Sequence, residues 1–327
     1  MINLKIFSKK KSTLLAVYDL EKINCSFDFM TFFQNAKLYQ KKNNFDKLDL
    51  CIIRGSENGF KKQQFIYSEK DNKLDNAMFR LNYIVIPMVM MFKKHYENFY
   101  LLEDRNEAIS FLDNYKNFFP QVFHSSGLKS NKNIYCRQSV WARLEEDYKN
   151  VDLIKLEVQE LLSKKLLNKL DNTKKIISIT LREGSYREHS NSLLDEWKNF
   201  VSYLEKNNYI VIVIRDAEKV YLDNLFEKNN IFPHASHDLY LRAAIYKISY
   251  FNYFVAGGPA IICWSNGYKS ANFKFWYTDE KSKVAEQNTS IQRNHQSKIL
   301  NKSNHFLLSE LDTVENLINF HKKNLIF

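Results

Sequence analysis

Short, largely apolar runs alternate along this chain with longer segments whose apolar residues recur at helical spacing. The clearest run covers 209–214 (Tyr-Ile-Val-Ile-Val-Ile), and similar runs cover 13–18, 48–53 and 175–181. Apolar runs of this length are typical of strands buried on both faces, as in parallel sheets covered by helices. The alternation therefore predicts an α/β fold.

The pattern predicts both kinds of element in each half of the chain. Strands are predicted at 13–18, 48–53, 99–102, 175–181, 209–214, 253–256 and 273–276. Helices are predicted at 27–40, 76–92, 107–115, 151–170, 192–205, 219–229, 238–248 and 260–264. Pro87 should kink or interrupt the second helix, because proline lacks the N–H that an interior helical position needs.

The length of 327 residues exceeds that of most single domains. The strand–helix alternation restarts after the amphipathic segment 151–170, so we predict two domains, 1–150 and 151–327. Each is expected to be a Rossmann-like parallel-sheet domain, and the two are expected to face a central cleft.

The chain carries a formal net charge of +11, which suits anionic partners. The lysines are scattered along the chain, several of them in pairs, a distribution typical of a solvated surface, and nucleic acid is disfavoured because no recognition motif is apparent. The triplet 9–11 (Lys-Lys-Lys) leaves open a peripheral contact with an anionic membrane. No signal peptide or long apolar span is visible and no cysteines have CxxC spacing, so a cytoplasmic protein with reduced, buried thiols is expected.

Several common catalytic motifs are absent. The sequence contains no P-loop, GxGxxG, HExxH, GxSxG or Asp-x-Asp pattern. The Asp-x-Asp triplet holds a divalent cation in many metal-dependent sugar transferases. We therefore expect neither a bound cofactor nor a metal ion.

Charged and glycine residues follow three strands predicted in the second half. They are Arg182-Glu183-Gly184, Arg215-Asp216 and Gly257-Gly258-Pro259. Ligands of parallel sheets bind beyond the carboxyl ends of the strands, where arginine matches phosphate oxygens and glycine allows close backbone approach. An anion pocket is thus predicted. The alternative for each arginine taken singly is a pair with a neighbouring carboxylate, Glu183 or Asp216.

Candidate general bases occur in the first half. Asp19 ends a predicted strand, Asp28 lies near the start of the next helix, and His124 is a third candidate. Asp28, close to Ser26, is equally interpreted as a helix-start residue.

The second half, over about 175–275, resembles the nucleotide-binding domain of two-Rossmann (GT-B type) glycosyltransferases. It is most similar to the fucosyltransferase-like branch, in which a strand ends in an arginine that contacts the sugar-nucleotide diphosphate, as 177–182 does here (Ile-Ser-Ile-Thr-Leu-Arg). A helix rich in small residues (238–244), then a strand and a small-residue turn (253–259), continue the likeness, with Gly257-Gly258-Pro259 replacing the usual serine-containing turn. The segments 187–197 and 210–216 also resemble uncharacterised bacterial proteins of surface-polysaccharide synthesis.

This resemblance implies metal-independent transfer of a sugar from a nucleotide-diphosphate donor, bound by the second domain, to a glycan or other hydroxyl acceptor, bound by the first. Arg182 and Arg215 would contact the phosphates, Gly257 and Gly258 would allow close approach, and Asp216 would contact the ribose or base. The full set of predicted donor-binding residues is Arg182, Arg187, Arg215, Asp216, Arg242, Gly257, Gly258 and Pro259.

Other functions remain open at this stage. A sugar-nucleotide epimerase would use the same architecture without an acceptor. A non-catalytic basic module for anionic glycan or nucleic acid, or an inactive relative, would keep the fold without the chemistry.

Overall fold

The chain divides into two compact units, Met1–Glu157 and Val158–Phe327. The structure is a computed structural model that describes residues 12–56, 58–60, 73–121, 123, 125–129, 153–171, 173–184, 188–217, 219–221, 226, 232–255, 257–274 and 305–325. Each unit is built around its own parallel sheet.

The first unit contains a four-stranded sheet with the order β3-β2-β1-β4, in which all neighbouring strands are parallel. Its elements are β1 (Thr13–Asp19), α1 (Asp28–Lys42), β2 (Lys47–Ile53), α2 (Lys73–Arg80), α3 (Ile86–Met91), β3 (Phe99–Leu102), α4 (Arg105–Leu112) and β4 (Asn117–Phe119). Strand β1 is buried along its whole length, as its largely apolar sequence predicts.

The second unit contains a five-stranded parallel sheet with the order β6-β5-β7-β8-β9. Its elements are α5 (Glu160–Leu167), β5 (Ile176–Thr180), α6 (Leu194–Lys206), β6 (Ile210–Ile214), α7 (His234–His237), α8 (Leu239–Ile248), β7 (Phe251–Val255), α9 (Ala260–Asn266), β8 (Ser270–Phe273), β9 (His305–Leu307) and α10 (Val314–Leu325). Apolar side chains of β5, β6, β7, α6 and α10 share one buried core. The predicted α/β class with two parallel-sheet domains is confirmed.

Pro87 interrupts its helix, as predicted. The five residues Leu81–Val85 form a π-helical turn between α2 and α3, and Pro87 lies in the first turn of α3. A proline there needs no N–H partner inside the helix. In an α-helix the proline ring would clash with the carbonyl four residues earlier, and the wider π turn before Pro87 relieves this clash.

Three predicted elements differ from the structure. The helix predicted over 151–170 is confined to Glu160–Leu167, because 153–159 lacks regular secondary structure and Ile154 is bound through its backbone to the Gln34 side chain. The strand predicted at 273–276 lies earlier, at Ser270–Phe273. Most of the helix predicted at 219–229 lies outside the described residues, and 219–221 forms a turn.

Gly267 ends α9 in the left-handed conformation (φ 73°), which suits a residue without a Cβ. Cys25, Cys51 and Cys263 are buried free thiols. Among the described residues, no helix has both the length and the apolar character needed to span a bilayer.

Candidate functional site

The strand order of the second sheet fixes where a ligand crevice would lie. The chain moves from β5 to β6 in one direction and then continues with β7 on the other side of β5. Helices that connect strands in opposite directions cover opposite faces, so this strand order places a ligand crevice between the carboxyl ends of β5 and β7 in proteins of this kind. Thr180 pairs with Phe254, so the residues that follow both strands lie at this same edge.

Arg182 and the Gly257-Gly258 turn follow these two strands. Arg182 comes two residues after β5 and is half-buried, with part of its side chain accessible. A Cβ at Gly257 would lie 3.2 Å from the carbonyl oxygen of Val255, so this tight turn favours glycine. Pro259 then precedes the first turn of α9, where the N–H groups of Ile261 and Ile262 already bond the carbonyls of 258 and 259.

Arg215, predicted to bind phosphate, is instead held in a buried ion pair. Its Nε lies 3.0 Å from Oε2 of Glu183 and its Nη2 lies 2.5 Å from Oε1, a two-pronged arrangement. The Arg215 side chain is 1% exposed and that of Glu183 is 6% exposed. The partner thus comes from the end of the adjacent strand rather than from neighbouring Asp216. This engagement favours a structural role for Arg215.

Two further predicted donor-binding residues also make internal bonds. Asp216 accepts the backbone N–H of Glu183 at 2.6 Å, which ties the end of β6 to the loop after β5. Arg242 is buried on α8, and its guanidinium donates to the carbonyls of Ala235 (2.7 Å) and Ser236 (3.3 Å) at the end of α7. Arg242 therefore stabilises a helix end, whereas the sequence predicted a contact with the donor.

The loop after β5 is held by Asn191 and Ser192, which lie just before the next helix. Ser192 Oγ accepts the N–H of Arg182 (2.9 Å), and the Ser192 N–H bonds the Arg182 carbonyl (2.9 Å). Asn191 donates its side-chain amide to the carbonyl of Gly184 at 2.8 Å. Both residues thus fix the Arg182 loop, and the N-cap residue of α6, Leu193, makes no side-chain cap bond.

In the first unit, Asp19 is committed to an ion pair that sequence reasoning missed. Asp19 is fully buried, and Arg105 Nη1 and Nη2 lie 2.7 and 3.0 Å from its two oxygens. Arg105 also donates to the carbonyls of Arg54 (2.9 Å) and Leu128 (3.3 Å). This one arginine joins the ends of β1 and β2 to the segment after β4, which disfavours Asp19 as a base. Only its position three residues after a predicted strand could have drawn attention to Arg105.

Asp28 is the first residue of α1 and is exposed. The Ser26 hydroxyl donates to Asp28 Oδ2 at 2.9 Å and accepts the Asp28 N–H at 3.2 Å, so the predicted helix-start geometry is present. Desolvation by surrounding groups raises the pKa of Asp28, although Ser26 and Arg80 act in the opposite direction.

The other predicted site residues cannot be placed, since His124 and Arg187 lie outside the described residues. Within the described part of the chain, no group of three or more His, Cys, Asp or Glu side chains is placed to share a metal ion. Lys274 and Asp312, which no sequence pattern indicated, form a second buried ion pair at the carboxyl edge of the second sheet.

Two parallel α/β units, each with a strand-order reversal, place the chain in the two-Rossmann fold class typified by GT-B enzymes. Among solved structures, heptosyltransferase II of E. coli, described as an ADP-heptose lipopolysaccharide enzyme, is similar at a TM-score of 0.50 and 9% identity, over 80% of this chain and 84% of that one. The fold comparison rests on this structure.

Two further solved structures are similar at lower scores. A family 9 glycosyl transferase from Veillonella parvula has a TM-score of 0.47 at 9% identity, over 95% of this chain and 96% of that one. E. coli heptosyltransferase WaaC with ADP-2-deoxy-2-fluoro heptose has 0.44 at 9% identity, over 95% and 99%. No protein-family model and no curated protein sequence matches the chain.

Proposed function

We propose that this protein is a glycosyltransferase that moves a sugar from a nucleotide-diphosphate donor to a hydroxyl acceptor. The observation that carries the proposal is the position of Arg182 and Gly257-Gly258 on either side of the strand-order reversal of the second sheet. At such a reversal, an accessible arginine and a glycine turn suit a phosphorylated ligand. The fold shared with an ADP-heptose heptosyltransferase supports a nucleotide sugar as that ligand.

The proposed chemistry is a displacement at the anomeric carbon of the sugar. The acceptor oxygen forms a bond to this carbon, the bond to the diphosphate breaks, and the nucleoside diphosphate leaves with the electron pair. The positive charge of Arg182 would stabilise the charge that develops on the leaving phosphate. Asp28 would take the acceptor proton, and its raised pKa brings it closer to a useful value for a base. No metal ion is needed in this scheme.

The two substrates would bind to different units. The donor would bind the second unit, through Arg182, Gly257, Gly258 and Arg187, and the acceptor would bind the first unit. We further propose a glycan acceptor in bacterial surface-polysaccharide synthesis, since the enzyme of similar fold is described as a lipopolysaccharide heptosyltransferase. Membership of the fucosyltransferase-like branch stays a prediction from the sequence.

The test is a thermal-shift panel of ADP, GDP, UDP, CMP and their sugar forms. A ligand present at a hundred times its dissociation constant stabilises a fold by about 2.7 kcal/mol, enough to raise Tm by several degrees. We expect one nucleotide class to raise the Tm of the wild type. Arg182→Ala should weaken that binding by roughly tenfold or more, because a charge-assisted hydrogen bond is lost.

Lys174→Ala is the matched control. Lys174 is exposed just before β5, at the opposite edge of the same sheet, so this variant removes a positive charge from the same unit without touching the crevice. An equal loss of binding in both variants would indicate general charge attraction. No shift with any nucleotide would contradict the proposal, and conversion of a bound sugar nucleotide without an acceptor would indicate an epimerase.

A further inference from the structure

Lys274 is buried in an unusual conformation directly after β8. It is 3% exposed, and its φ of 55° lies in the left-handed region that side chains other than those of glycine, asparagine and aspartate seldom adopt. Its backbone N–H bonds the carbonyl of Glu310 at 3.1 Å. Its Nζ lies 2.8 Å from Asp312 Oδ1 and donates to the carbonyl of Asn191 at 2.6 Å.

Asp312 is equally buried, at 0% exposure, and reaches the start of α6. Its Oδ2 accepts the backbone N–H of Leu193 at 3.0 Å and the indole N–H of Trp197 at 2.6 Å. Trp197 lies fully inside the core of the second unit. The Lys274–Asp312 pair therefore holds residues 191–193 against a rigid part of the fold.

These same residues hold the loop that carries Arg182. Ser192 exchanges two hydrogen bonds with the backbone of Arg182, and Asn191 binds the carbonyl of Gly184. The Lys274–Asp312 pair thus binds the backbone on both sides of Ser192, at Asn191 and Leu193. Asn191 and Ser192 in turn bind Gly184 and Arg182, on the two sides of Glu183.

The cost of this arrangement suggests a function beyond stability. Burying two charges requires removing both from water, and apolar residues of similar volume often stabilise a core as well or better. A left-handed lysine adds backbone strain, and such strain is concentrated at ligand sites whose geometry must be fixed in advance. The buried charges and the strained backbone both occur here at Lys274, which binds Asn191, and Asn191 binds the Arg182 loop.

We propose that the Lys274–Asp312 pair positions the loop 182–184 for binding of the donor diphosphate. This role rests on the proposed function. Neither residue is assigned a contact with the donor: the pair acts through Asn191 and Ser192. A loop that is already held in place loses little conformational entropy when the ligand binds. The affinity for the donor therefore depends on the Lys274–Asp312 pair.

The test removes both charges together, because loss of one would leave the other buried and unpaired. In Lys274→Met/Asp312→Asn, the asparagine oxygen can still accept from Leu193 and Trp197, which favours a folded protein. We expect faster hydrogen exchange at the amides of Arg182 and Ser192, by roughly tenfold or more, and a similarly weaker affinity for the nucleotide that stabilises the wild type.

Asn191→Ala is the second variant. It leaves the ion pair intact and removes only the bond to Gly184, so it should also weaken nucleotide affinity. The triple variant combines Asn191→Ala with Lys274→Met/Asp312→Asn. If the ion pair acts through Asn191, its loss of affinity should be smaller than the product of the fold-losses of the two separate variants, as expected for coupled residues. Glu196→Ala is the matched control: Glu196 lies in the first turn of α6 and accepts the N–H of Val314, so loss of this bond should lower Tm without changing either readout.

The outcomes separate the two proposals. Unchanged exchange at Arg182 and Ser192, or unchanged nucleotide affinity in folded variants, would overturn the positioning role and leave the proposed function standing. A wild-type protein that binds no nucleotide would overturn the proposed function itself.

Discussion

Single residues at the carboxyl edge of the second sheet divide into two groups. Arg215 and Lys274 are buried cations, each beside a buried carboxylate, whereas Arg182 is partly accessible. A buried guanidinium that already donates two hydrogen bonds to one carboxylate is poorly placed to bind a phosphate. Arginine after a strand is therefore an ambiguous signal, and burial separates structural arginines from candidate ligand-binding ones.

Arg215→Met should destabilise the protein by about 3–5 kcal/mol, because Glu183 would keep a buried charge without its partner. Arg215→Met/Glu183→Gln removes both charges and should recover most of that loss. Equilibrium unfolding in urea measures both variants. A single variant as stable as the wild type would show that the pair is not structural and would return Arg215 to the phosphate-binding candidates.

The sequence did not predict which carboxylate pairs with which arginine. The residue adjacent to Arg215 is Asp216, yet its ion pair is with Glu183, which follows the neighbouring strand. Asp19 and Arg105 are likewise far apart in sequence and meet only because β1 lies inside the sheet. Strand ends were predictable from the apolar runs, but pairing among them depends on strand order, which one sequence does not reveal.

At the scale of elements, prediction worked where burial alone determines structure. The run 209–214 matches β6 (Ile210–Ile214) within one residue, because a strand buried on both faces has a simple apolar signature. It failed at β8, whose sequence Ser-Ala-Asn-Phe is half polar although every residue is buried. The aromatic residues after β8 favoured a later strand. Strand β9 and helix α10 were not predicted.

Helix α10 contains a buried histidine that makes stability depend on pH. His321 accepts or donates a hydrogen bond with the Tyr253 hydroxyl at 2.8 Å, and it packs against Tyr209 with ring centroids 5.1 Å apart. Burial lowers its pKa to about 4, with a further contribution from Lys175. His305, on β9, has its pKa lowered to about 4 mainly by burial as well.

The sign of the effect follows from the depressed pKa. Between about pH 6.5 and 4 the unfolded chain binds a proton at His321 that the folded protein excludes, so stability is present above this range and lost as pH falls through it. His321→Gln cannot titrate and should reduce the slope of unfolding free energy by up to about 1.4 kcal/mol per pH unit. Tm measured from pH 7 to 4.5 in both proteins tests this. Parallel curves would refute a neutral buried imidazole.

At the scale of the whole molecule, the chain divides into two units, and the second has a core of its own. Among the described residues, this core cluster runs from Ile177 on β5 to Leu325 on α10. Helix α5 also belongs to this unit, because Glu160 forms an ion pair with Lys247 at the end of α8. The proposed donor site, the Arg182 loop and the Lys274–Asp312 pair are all built from residues of this one unit.

A fragment covering 158–327 should therefore fold alone and bind the same nucleotide as the complete chain. A domain that contains a complete sheet and its own core has the contacts it needs for cooperative folding. Circular dichroism during heating should show a cooperative transition, and adding the nucleotide should raise its Tm. Arg182→Ala in the fragment supplies the control for binding at the proposed site.

The comparison of affinities then separates two ways of building the donor site. Equal dissociation constants for the fragment and the complete chain would mean that the second unit supplies all donor contacts. A folded fragment with much weaker binding would contradict this and assign part of the donor energy to the first unit. Because a tenfold difference corresponds to about 1.4 kcal/mol, the loss of even one charge-assisted hydrogen bond would be resolved.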